Sequence, residues 1–108
     1  MTRSEKLDRH LPLTEAGYYI LLALAEPLHG YVVMQKVKAL SRGRLDIGPG
    51  TLYGVLAASE EQGLIVKVRE EERRKVYTLT ALGRRVLLEQ IARLEVMARS
   101  GREVAGGA

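Results

Sequence analysis

The stretch from Leu64 to Thr80, LIVKVREEERRKVYTLT, constrains the fold more than any other part of this 108-residue chain. Leu64, Val66 and Val68 alternate with Ile65, Lys67 and Arg69, the period of a β-strand. Farther on, Tyr77 and Leu79 alternate with Val76 and Thr78. The charged EEERR between the two runs predicts the tip of a hairpin, although no Asn-Gly or Asp-Gly fixes its turn type.

Most of what surrounds the hairpin has a helical period. Thr14 suits the cap of a first helix, with Glu15 at its positive end. That helix is apolar nearly all round, which predicts burial on more than one face, and Pro27 stops it. HGYVVMQKVKAL restarts the pattern with Tyr31, Met34, Val37 and Leu40, and Gly43 suits a left-handed end. RLDI, residues 44–47, reads as a short extended piece. Pro49 suits the first turn of a third helix whose narrow stripe is Leu52, Val55, Leu56 and Ser59, closed by Gly63. Thr80 caps a last helix beyond the hairpin. Helices two and three form a helix-turn-helix, and a hairpin directly after it is a wing. The fold class is therefore mostly α with a small β-hairpin, a winged helix-turn-helix.

A chain of this length makes one domain. The absence of cysteine removes disulfides, thiolate metal sites and cysteine nucleophiles. No histidine sits beside a second metal ligand at helical spacing, so no metal or cofactor is expected. No apolar run spans a bilayer, and MTRSEKLDRH lacks the core of a signal peptide, which predicts a cytoplasmic protein with no membrane partner. The net charge of +4 favours a polyanionic partner such as nucleic acid. There is no serine–histidine–acid set and no carboxylate pair that this fold would bury together, which argues against an enzyme.

GPGTLYG, residues 48–54, invites comparison with a phosphate-binding loop. A P-loop needs a lysine before its hydroxyl residue, and none is present. Glycines at 48, 50 and 54 do not have the dinucleotide spacing either. As a helix start, the segment offers free N–H groups to an anion such as a DNA phosphate. Thr51 and Tyr53 then project hydroxyls able to reach phosphate or base edges, while Gly50 and Gly54 allow close approach to a groove. The alternative is a tight turn in which Leu52 is core and Tyr53 packs on a neighbour.

PLTEAGYYILLALAEPLHGYVVMQKV, GPGTLYGVLAASEEQGLI and RRKVYTLTALGR together resemble successive segments of the PadR family of bacterial transcriptional regulators, over roughly residues 12 to 99. The resemblance implies a winged-helix fold, a homodimer built through terminal helices, and operator binding that represses transcription, of the compact type with a short C-terminal helix. Many relatives carry lysine or arginine and then leucine where this chain has Ala57, Ala58 and Ser59. DNA affinity is then expected from the wing cations Arg73, Arg74 and Lys75, with Lys36, Lys38, Arg42 and Arg44. The same wing residues could instead be a solvated hairpin paired with Glu70, Glu71 and Glu72.

Other residues have plainer expectations. Tyr31 and Tyr77 should pack in the core, and His29 should cap or hydrogen-bond the second helix. Leu87, Ile91, Leu94 and Ala98 repeat at four, three and four, a seam open either to the protomer's own core or, as favoured here, to a partner chain. The organisation expected is a flexible N-terminus over 1–11, a DNA-binding domain over 12–80, a dimerisation helix over 81–99 and a flexible tail over 100–108. The function expected is a homodimeric regulator of double-stranded DNA, a repressor released by a small-molecule effector. The rival is a winged-helix protein-interaction adaptor without specific DNA binding.

Overall fold

The computed structural model describes residues 7–106. Four helices and three strands follow in the order α1 (Glu15–Ala23), β1 (Leu28–His29), α2 (Gly30–Leu40), α3 (Pro49–Glu61), β2 (Ile65–Glu71), β3 (Arg74–Leu79) and α4 (Ala81–Ala105). The helix boundaries follow from local chemistry. Thr14 accepts from the Gly17 amide at the head of α1, and Thr80 accepts from the Gly83 amide at the head of α4. Pro49 occupies the first turn of α3. Gly43 and Gly63 take positive φ just beyond α2 and α3, a conformation that costs glycine nothing.

The sheet is antiparallel in the order β1–β3–β2. Its third strand is not RLDI. Residues 44–47 connect α2 to α3 without pairing, while Leu28 and His29 pair with Tyr77 and Val76. Beside this pairing the Leu24 carbonyl accepts from the Leu79 amide at 2.9 Å and the Thr78 hydroxyl at 3.2 Å, joining the end of α1 to the wing. The β2–β3 register slips between Lys67 and Arg69, so Val68 is an extra residue on β2. Strict alternation from Leu64 also fails: Leu64, which precedes β2, and Ile65 are both buried, and Val66 and Val68 are exposed.

The core lies where all four helices meet the base of the hairpin. It joins Ile20, Leu21 and Leu24 with Val33, Val37, Leu52 and Leu56, and with Ile65, Tyr77, Val86 and Leu87. α1 is wrapped on several sides, as its all-round apolarity predicts. Tyr31 departs from expectation: it is exposed, because the face of α2 turned inward carries Val33 and Val37. His29 stands at the N-cap of α2, but its side chain makes no capping hydrogen bond.

Among the described residues, 7–11 pack on the domain and 100–105 continue the last helix. Leu7 and Leu11 pack on the core, and the Leu13 amide donates to Oε1 of buried Gln90 at 2.7 Å. The rest of the expected flexible start, residues 1–6, lies outside the described residues, as do 107–108 of the expected tail. α4 runs on to Ala105, past the end expected at 99, and from Leu94 onward every residue is exposed. Arg99, Arg102 and Glu103 are good helix formers, so the helix propagates without tertiary contacts. No helix among the described residues is long and apolar enough to cross a membrane.

Candidate nucleic-acid interface

The wing closes through a two-residue turn. Glu71 pairs with Arg74, and between them Glu72 (φ 50°) and Arg73 (φ 67°) are both left-handed, as in a type I′ turn. Side chains with a Cβ resist this conformation. Glu72→Asn is therefore expected to stabilise the protein by about 0.5–1 kcal/mol, because asparagine tolerates left-handed backbone better. Urea unfolding checks this; a loss of stability would refute the turn assignment.

Ion pairs within β2 engage part of the wing's charge. Lys67 pairs with Glu70 at 3.3 Å, and Arg69 pairs with Glu71. The Arg69 guanidinium, by hydrogen bond first and charge second, holds the Glu71 carboxyl below the usual carboxylate range. Among the described residues, Arg73, Arg74 and Lys75 enter no ion pair. They are exposed cations, and the residues opposite Lys75 and Arg74 on β2, Glu70 and Glu71, are already engaged by Lys67 and Arg69.

These cations line one wall of a cleft of about 660 Å³. The opposite wall is α3, through Tyr53, Ala57 and Glu60, and the start of α2 closes the cleft with His29, Gly30 and Tyr31. Tyr77 lies at the buried side, its hydroxyl pushed up by burial first and by the Glu60 charge second. Tyr53 is 57% exposed. A Cβ on Gly30 would come within 3.1 Å of the Tyr53 hydroxyl oxygen and 3.2 Å of Leu52 Cδ2, so glycine there lets Tyr53 lie over the head of α2. Gly50 and Gly54 are exposed, with nothing within 4 Å of a Cβ built on either. The arrangement can hold a polyanion: three free cations face a helix that carries tyrosine and threonine hydroxyls and little bulk.

Residues 20–89 match the transcriptional regulator PadR-like family. The chain belongs to the PadR family of transcriptional regulators. This PadR chain is 40% identical over 83 residues to a transcriptional regulator of Mycobacterium tuberculosis, covering 74% of itself and 72% of that protein. It is 40% identical over 74 residues to a 37.1 kDa protein of a Streptomyces fradiae transposon, covering 68% of itself but 21% of that protein. A solved PadR family regulator from Eggerthella lenta superposes with TM-score 0.68 at 28% identity, covering 94% of this chain and 86% of that one. The PadR family is one of regulators rather than enzymes.

Other residues singled out in the sequence lie elsewhere on this PadR fold. Thr51 is exposed on α3 outside the cleft lining. Lys36 is half-buried and paired with Glu26, and Lys38 is paired with Asp46 at 3.6 Å. Arg44 is exposed in the α2–α3 connection, and neither it nor Lys36 lines the cleft. Along the α4 seam, Leu87 is buried in the protomer's own core and Ile91 packs on that core, whereas Leu94 and Ala98 are exposed. Met97, 64% exposed, flanks this seam. Glu60 is a cleft residue that a reading of acidic residues as solvated surface passes over. Its signal was helical spacing, since it follows Tyr53 by two turns on one face. Among the described residues no three potential ligands come together as a metal site.

Proposed function

We propose that this chain is a homodimeric, sequence-specific DNA-binding regulator that sets α3 in the major groove and lays the wing along flanking phosphates. One observation carries the reading: Tyr53 and the unpaired Arg73, Arg74 and Lys75 face each other across one cleft. Phosphate attraction comes from the wing, with Arg44 and Lys36 as lesser contributors, the latter only on leaving Glu26. Thr51 and Tyr53 supply hydroxyls, and Gly50 and Gly54 allow close approach. Residues 12–80 form the DNA-binding unit and the helix beginning at 81 the dimerisation element. Leu94 and Ala98, flanked by Met97, meet the partner, while Leu87 and Ile91 support them from within. The protein represses by occupying its operator. A small-molecule effector releases it by binding with different affinity to the two spacings of the reading helices.

Selection of duplexes from a random pool tests this reading. The expected product is a two-fold symmetric consensus with half-sites about one DNA turn, roughly 34 Å, apart. Recovery of no duplex, or sedimentation as a single subunit, counts against it. The adaptor reading draws on α3 itself, which offers no lysine or arginine. It requires no retention on heparin and no shift of random duplex at low salt.

A further inference from the structure

α3 faces the cleft with one charged group, and it is a carboxylate. Glu60 lies two turns beyond Tyr53 and shares the cleft with Arg73, Arg74 and Lys75, yet it forms no ion pair within 4.0 Å among the described residues. A negative charge in a cleft open to phosphates weakens binding to every duplex unless something specific offsets it. In the major groove guanine shows two acceptors and thymine shows one, all of which repel a carboxylate. Adenine shows an amino donor beside an acceptor, and cytosine shows an amino donor alone. No arginine, lysine, asparagine or glutamine lies within α3 to read a purine edge in two-point fashion.

Resting on the DNA-binding reading above, we infer that Glu60 is a specificity-determining side chain that accepts a hydrogen bond from the N4 amino group of a cytosine in each half-site. The wing draws in any duplex, and Glu60 withdraws that affinity from duplexes lacking the amino group at its position. Selectivity thus comes from a repulsive element as much as from an attractive one.

The test compares wild type, Glu60→Gln and Glu61→Gln in selection from a random pool and in binding to random duplex at fixed salt. Glu61 is the control, exposed on α3 outside the cleft lining. Wild type and Glu61→Gln should select the same cytosine. Glu60→Gln should lose it or turn to adenine, whose N6 and N7 suit an amide. Its affinity for random duplex should rise roughly fivefold, the effect of removing one like charge about 4 Å from a phosphate in water. An unchanged consensus with unchanged random-duplex affinity overturns the role of Glu60 and leaves the DNA-binding reading standing. So does a lower melting temperature with unchanged selection. Failure of wild type to select any duplex overturns both.

Discussion

Gly83→Ala lowers the melting temperature by about 15 °C, corresponding to roughly 3 kcal/mol in a domain of this size. Gly83 is buried where α4 crosses the start of β2, and an added Cβ would sit 2.0 Å from the Leu64 carbonyl oxygen and 2.9 Å from its carbon. The obstacle is backbone, so no side chain can rotate out of the way. α4 must move, and moving it strains the Thr80 cap and opens the packing of Val86 and Leu87 against the core. Gly54→Ala is the contrast. Nothing lies within 4 Å of its added methyl, and alanine favours a helix interior by about 1 kcal/mol over glycine. Thermal unfolding of the two variants should therefore give shifts of opposite sign. Shifts of the same size and sign would mean that the α4–β2 crossing is looser than described.

The triple substitution Arg73→Ala, Arg74→Ala, Lys75→Ala weakens duplex binding about 100-fold at moderate salt, taking about 1 kcal/mol for each cation removed from a phosphate. The slope of log affinity against log salt falls by about 0.9 per phosphate released, or roughly 2.7 in all. Both effects should be alike for selected and random duplexes, since phosphates carry no sequence. Restoring charge without fork geometry, with lysine at positions 73 and 74, recovers most of the slope. Fluorescence anisotropy at several salt concentrations measures this directly. An unchanged slope in the triple variant removes the wing from the interface.

What could be read from the sequence was what is local in the chain. Thr14, Thr80, Pro49, Gly43 and Gly63 act within a few residues of themselves, and they mark helix ends where expected. The two-residue strand Leu28–His29 was not legible, because its pairing with Tyr77 and Val76 joins positions far apart in the chain. Tyr31 has correct helical spacing, but which side of α2 turns inward is decided by α1 and α3. Much of the candidate site could be named in advance, Tyr53 and the wing cations included. Their freedom from ion pairs could not, since the bulge at Val68 brings Glu70 onto the face of Lys67 while Arg69 takes Glu71. Leu87 was equally ambiguous, as the same spacing serves an inner core and an outer seam.

The crossing at Gly83 ties three elements at one point: Thr80 donates its amide to the Leu64 carbonyl at 3.0 Å and its hydroxyl to the Gly63 carbonyl at 2.6 Å. Hairpin and long helix thus leave from a common point. With seven residues in β2 at about 3.3 Å each, a tilt of about 10° at that point swings the far end of the hairpin by about 4 Å. That displacement exceeds the reach of a hydrogen bond, so where the tip of the hairpin can reach is set by how firmly this one crossing holds.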